Sequence, residues 1–218
     1  LASFGRTSDH DNIRKFEKDV PVVLFDANIE DAGQAFIGTN NFKSVDLMVD
    51  YLCRSGEPPC FFEMKAPTNP NANKRRQAYL ESMRRQGQPA FIYQAEGDGW
   101  NFEEIGSVEG GRMLSEGMFK TNTILCSNDR LAIGMLSAAY NQGIRVGHGD
   151  GCVLRIAGHD DHPFARFTGP PLTTIAQDYE AIANRAVGTL LEILEKGERL
   201  SNRKETYFDG RLIMRNSA

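Results

Sequence analysis

The stretch that most constrains the fold runs from Thr123 to Asp161. Thr123-Ile124-Leu125-Cys126 is a short apolar run of strand character that delivers the chain to Ser127, Asn128 and Asp129. From Asp129 to about Gln142 the apolar residues Leu131, Ala132, Met135, Leu136 and Ala139 recur at helical spacing. Gly143 stands where a glycine commonly ends a helix. A second apolar run, Val153 to Ala157, leads into Gly158-His159-Asp160-Asp161. Strand, helix and strand at this spacing predict a βαβ unit, with parallel strands and a right-handed crossover. Asn128 and Asp160 are then expected at neighbouring strand ends, the edge where open α/β sheets bind ligands.

The same alternation continues on either side. Val20 to Phe25 is a continuous apolar run, the pattern of a buried parallel strand, and Asp26 ends it. Ala35-Phe36-Ile37 reads as a strand that turns through Gly38-Thr39-Asn40 into a helix carrying Phe42, Val45, Met48, Val49 and Leu52. Further strands are expected at Cys60 to Phe62 and Ala90 to Gln94, and helices over 73–86 and 101–116. Beyond the central unit, Gly169 to Ile175 is extended. Asp178 caps a helix from Tyr179 to Glu195 with a core face of Ile182, Ala186, Leu190 and Leu194, closed by Gly197. Residues 1–4 read as the end of a strand, Asp11 to Lys18 as amphipathic, and Glu205 to Phe208 and Leu212 to Met214 as the last strands. Strands alternating with helices throughout predict an α/β fold with parallel sheets.

Composition narrows the function classes. A net charge of −4 lacks the basic footprint of a nucleic-acid-binding surface. Cys53, Cys60, Cys126 and Cys152 are scattered, and Cys126 and Cys152 lie inside apolar strand patterns, so they are expected reduced and buried. No signal peptide and no membrane-spanning apolar run are visible, which suggests a cytoplasmic protein. His10, His148, His159 and His162 share no metal-binding spacing. There is no phosphate-binding loop, no G-x-S-x-G and no complete dinucleotide fingerprint, so neither a cofactor nor an enzymatic activity is expected.

In order, Ser127-Asn128-Asp129 with Leu131-Ala132-Ile133-Gly134, then Gly158-His159-Asp160-Asp161, then Pro170-Pro171-Leu172-Thr173-Thr174-Ile175-Ala176-Gln177-Asp178 closely resemble the effector-binding core of the lac and gal repressor family. The resemblance implies a two-lobed, periplasmic-binding-protein-like (type I) fold crossed three times by the chain. One lobe would comprise residues 1–38 plus 179–205, and the other residues 39–178 plus 206–218. Members of that family begin with a helix-turn-helix head, a hinge and two strand–helix units. None of these precedes residue 1 here, so the first lobe is expected to be incomplete. The implied function is to bind a sugar-like effector within a bacterial transcription regulator. Such a regulator contacts operator DNA only through the head and acts as a homodimer, with no membrane partner. The helix over 129–142 and the loop over 163–169, with Phe164 and Phe167, are the interface candidates. A transport-linked sugar-binding protein of related fold is the alternative.

The resemblance also implies a ligand site of Asp26, Arg76, Trp100, Asn128, Asp160, Gln177 and Tyr179, with no catalytic or metal-binding residue. The residue types suit a polyol. A carboxylate accepts hydrogen bonds from adjacent hydroxyls, an amide both donates and accepts, and a guanidinium offers a planar fork. An aromatic ring such as Trp100 can cover the apolar face of a sugar. Each residue also has a plainer reading. Asp26 fits a turn, Asn128 a helix cap, Arg76 a solvated charge run with Lys74 and Arg75, and Trp100 a core anchor. Where the family has a glycine three residues after its arginine, this chain has Tyr79, a departure expected to narrow the pocket or shift the helix.

Overall fold

A computed structural model describes residues 7–67, 69–197 and 202–218, so the strand end expected at residues 1–4 lies outside the described residues. Two parallel sheets carry the architecture. The first has the order β1 (Val23–Phe25), β2 (Ala35–Thr39), β8 (Lys204–Phe208). The second has the order β4 (Ile92–Ala95), β3 (Cys60–Met64), β5 (Thr123–Cys126), β6 (Arg155–Ala157). A small antiparallel pair, β7 (Thr174–Ala176) with β9 (Arg211–Ile213), continues from β6 through the bridges Ala157 to Thr173 and Asp160 to Ala176.

Helices cover both faces of the second sheet, as its fully buried β3 and β5 demand. Helices α2 (Asn41–Ser55) and α3 (Pro70–Arg85) pack Val45, Met48, Leu52, Tyr79 and Met83 on Phe61 and Leu125. On the opposite face, α4 (Phe102–Ser115) and α5 (Asp129–Asn141) pack Ile105, Leu131 and Met135 on Phe62 and Cys126. These two helices touch backbone to backbone. A Cβ on Gly134 would stand 2.1 Å from the Glu103 carbonyl oxygen, and one on Gly106 2.3 Å from that of Leu131. Only glycine permits that approach.

On the first sheet, α6 (Tyr179–Lys196) seats Ile182, Ala186 and Ile193 on Val23, Ala35 and Ile37, while Ile13 of α1 (Thr7–Phe16) packs with Leu24 and Phe36. Among the described residues no helix is long and apolar enough to cross a membrane.

The structure departs from the sequence reading at several points. The buried stripe of α6 ends on Ile193 and leaves Leu194 exposed, because a single-residue step turns the side chain by about 100° around the helix. Phe42, at the open first turn of α2, is exposed. Strand β6 begins at Arg155, so Cys152 sits in the preceding loop, half-buried; Cys126 is fully buried, and all four thiols are free. Strand β8 stays paired with β2 as far as Phe208, beyond the lobe boundary expected after Glu205.

Candidate functional site

Because the strands of each sheet are parallel, their C-terminal ends gather on one side, and the two sheets turn these ends toward each other across a cavity of about 200 Å³. Asp26, at the end of β1, holds a left-handed backbone (φ 62), which aspartate tolerates better than most residues. Ser127 and Asn128 follow β5, Asp160 follows β6, Gln177 follows β7, and Met64 ends β3; all line the cavity. Trp100 and Phe102 close one side at the start of α4, their rings edge to face at 5.7 Å. Tyr179, at the start of α6, closes another.

Of the expected ligand residues, Asp26, Trp100, Asn128, Asp160, Gln177 and Tyr179 border this one cavity, and Arg76 does not. The guanidinium facing the cavity belongs to Arg75. Its Nε donates to Asn41 Oδ1 (3.0 Å), and one terminal nitrogen donates to the Ser127 carbonyl (2.8 Å) and Asp160 Oδ2 (3.4 Å). The other terminal nitrogen donates to Asp160 Oδ1 (2.6 Å). Arg76 turns away, donating to Asn73 Oδ1 at 2.6 Å and meeting the buried Glu63 at 3.3 Å.

The helix phase explains the exchange. Tyr79 is fully buried, stacked on Phe61 at 5.0 Å, with its hydroxyl donating to the Pro59 carbonyl at 2.9 Å. Burying that ring draws Arg75, one turn earlier on the same face, inward. Tyr79 thus anchors α3 to the sheet and does not itself border the cavity. Asn71, one turn before Arg75, reaches across the cavity: its amide donates to the carbonyl (3.1 Å) and Oδ1 (3.3 Å) of Asp26. The signal for this register was present in Asn69-Pro70, a cap followed by proline at the first helical position. That start puts Asn71, Arg75 and Tyr79 in one line. Asn69, Asn71, Arg75, Phe102 and Arg130 are among the lining residues that the sequence reading did not single out.

Asp160 carries most of the polar network. Besides Arg75 it accepts from Gln177 Nε2 (2.7 Å) and lies 3.1 Å from His159 Nδ1. Burial alone would raise its carboxyl, but the Arg75 charge and the His159 contact outweigh that and hold it at about 2. Burial, then the Arg75 charge, lowers the His159 imidazole to about 4, so the ring is neutral near pH 7. Asp26 is raised, chiefly by burial, against the pull of Arg75. Behind the cavity, Asp129 accepts from Thr174 Oγ1 (2.6 Å) and the His162 N–H (2.7 Å), pinning the loop that presents Asp160. Burial and the Asp160 charge raise the Asp129 carboxyl to about 7. Gln177 also accepts from Thr39 Oγ1 at the end of β2, so one amide ties both sheets together.

Fold and cavity together define a class: an α/β protein of two parallel sheets whose strand ends face each other across a polar cleft floored by aromatic rings. A family model described as a periplasmic binding protein-like domain matches residues 52–218, and the chain belongs to that family. Among curated relatives, it is 28% identical over 183 residues to the HTH-type transcriptional repressor PurR of Pasteurella multocida, covering 82% of this chain and 52% of the relative. It is 27% identical over 173 residues to the ribose operon repressor of Escherichia coli K12, covering 79% of this chain and 50% of the relative. Among solved structures, a LacI family transcriptional regulator from Enterococcus faecium with bound ribose superposes with a TM-score of 0.77 at 18% identity. That match covers 98% of this chain and 76% of the other. The resemblance carried by Ser127 to Gly134, Gly158 to Asp161 and Pro170 to Asp178 is borne out by these matches. The chain spans about half the length of these two curated relatives.

Proposed function

We propose that this chain is the effector-binding core of a bacterial transcription regulator, and that the cavity bounded by Asp26, Arg75, Asn128 and Asp160 takes a small sugar-like molecule. The observation that carries this reading is the cavity's set of free polar groups. Asn69 and Asn128 spend their side-chain oxygens capping helices, accepting from Asn71 N (2.8 Å) and Leu131 N (2.9 Å), so among the described residues their amide nitrogens are left as donors. Asp26 Oδ2 is left as an acceptor among the described residues. A hydroxyl both donates and accepts, so neighbouring hydroxyls on one ring can serve the amides and the carboxylate together. Trp100, Phe102 and Met64 offer the ring an apolar surface. At about 200 Å³ the space falls below the roughly 300–1,000 Å³ of drug-sized sites and suits a single ring.

The relatives' names support a regulator over the transport-linked alternative, and the ribose in the Enterococcus faecium protein agrees with a monosaccharide-sized occupant. On this reading the lobes are built on the two sheets, ligand shifts their relative orientation, and no chemistry is performed on it. Operator DNA would be contacted by a head outside this chain, in a cytoplasmic homodimer. Tyr140 of α5 and Phe164 and Phe167 of the neighbouring loop, all strongly exposed, are its candidate contacts. The test is a thermal-shift screen of the full-length protein against pentoses, hexoses and polyols, followed by operator binding with and without each hit. A hit that changes operator affinity supports the proposal. Hits without that effect would remove the regulatory reading, and a monomer by light scattering would remove the dimer.

A further inference from the structure

We infer that the cleft selects an uncharged, hydroxyl-bearing ligand and rejects anionic relatives such as sugar phosphates and sugar acids, because both cations that border it among the described residues, Arg75 and Arg130, are committed to carboxylates of the protein. This rests on the effector-site reading above and refines its ligand class.

A guanidinium has five N–H donors. In Arg75 four are engaged, by Asn41, the Ser127 carbonyl and the two oxygens of Asp160. Arg75 is nearly fully buried, so it cannot swing out to meet a ligand while keeping those partners. Arg130, the other cation of the lining, directs Nε and one terminal nitrogen at Glu103 Oε1 and Oε2, both at 2.6 Å, and lies over the Phe102 ring at 5.2 Å. Lys74, the remaining cation near Asp26, sits over the Phe36 ring at 5.3 Å and does not border the cavity.

The carboxylates are in the opposite condition. Asp26 and Asp160 both border the cavity, and among the described residues the Asp26 carboxylate has only the 3.3 Å contact from Asn71. A phosphate or carboxylate group accepts hydrogen bonds and, when fully ionised, donates none. It could satisfy the Asn69 and Asn128 amides but would face Asp26 with like charge and no donor. To recruit Arg75 it would have to displace Asp160, leaving that carboxylate in a desolvated cleft without its cation. A neutral hydroxyl meets neither obstacle.

The experiment compares matched probes on the full-length protein by thermal shift and calorimetry: D-ribose, D-glucose and D-galactose against D-ribose 5-phosphate, D-glucose 6-phosphate and D-galacturonate. Binding is expected only among the neutral sugars, with the anionic counterpart of any binder at least about 100-fold weaker. Asp160→Asn, which releases Arg75, should narrow that gap to about tenfold or less. Glu103→Gln, which releases Arg130 outside the central network, should narrow it in a second, independently folded variant. An anionic probe binding as tightly as its neutral parent would overturn the inference and leave the effector site standing. An unchanged gap in both variants would overturn it as well. Silence from every probe in a cooperatively melting protein would instead count against the effector site itself, and the inference would fall with it.

Discussion

Arg75 donates to both oxygens of Asp160, at 2.6 and 3.4 Å, joining helix α3 to the loop after β6 beneath the cavity. Removing the cation strands a carboxylate among buried neighbours, and breaking a buried pair from one side costs about 3–5 kcal/mol. Arg75→Ala should therefore lower stability by roughly that amount and weaken ligand binding by about tenfold or more, through the displaced Asp160 carboxylate. Arg76→Ala should lower stability through Glu63 but leave affinity within about twofold, some 0.4 kcal/mol. Chemical denaturation beside calorimetric titration checks both, and a reversed pattern would return the site to Arg76.

Asn71 and Asp26 join α3 to the first sheet across the open side of the cavity. Asn71→Ala removes two donations to Asp26 and one acceptance from Asn41, which at about 1 kcal/mol each predicts a loss of roughly 2–3 kcal/mol. The spread of the lobes should change as well. Small-angle scattering of the ligand-free variant is expected to give a larger radius of gyration, and ligand affinity should fall about tenfold as closure loses its protein-side contact.

Gly134 and Gly188 should respond oppositely to alanine. At Gly134 the new Cβ meets Glu103 O at 2.1 Å and Ser107 N at 2.7 Å, both backbone atoms, so α4 and α5 must separate. A loss of at least about 1–3 kcal/mol is expected. At Gly188, inside α6, nothing lies within 4 Å, and alanine should add about 0.5–1 kcal/mol through helix propensity. Urea midpoints moving in opposite directions would bear this out.

Asp129 and His159 make opposing contributions to stability as pH changes. In the unfolded chain an aspartate titrates near 3.9 and a histidine near 6.5. The folded protein holds Asp129 at about 7 and His159 at about 4. Between those limits the folded state keeps a proton on Asp129 that the unfolded chain has released. It also lacks one on His159 that the unfolded chain has taken up. The first makes stability rise as pH falls through 7, and the second makes it fall below pH 6.5, so the two largely cancel. Asp129→Asn removes the first alone. The variant should lose roughly 2–3 kcal/mol between pH 7 and 4.5, where the parent stays nearly level. Below pH 4 both should weaken further, because Asp160, folded at about 2, contributes stability that is lost as pH falls through that value. Denaturant titrations across this range provide the measurement.

The sequence alone determined which segments are strands and helices, while several of their ends shifted: β1 is confined to Val23–Phe25, β6 begins at Arg155 and α3 already at Pro70. Those signals are local: the apolar runs at Val20 to Phe25 and Thr123 to Cys126, the helical spacing of Leu131, Met135 and Ala139, and the glycine at 197, which takes φ 61 at the end of α6. Parallel strands then put Asn128 and Asp160 side by side, since the ends of adjacent parallel strands share one edge. Tertiary structure decided what local pattern leaves open by a single residue. Arg75 and Arg76 are equivalent by composition and differ by about 100° around α3. The choice between them follows from where Tyr79 is buried, on Phe61 of β3, a strand that ends before α3 begins. Likewise Asn71 with Asp26, and Gln177 with Thr39, meet across the cleft from distant parts of the chain. Periodicity describes one element at a time, whereas a cavity is formed by the packing angles between elements, which depend on every buried side chain at once.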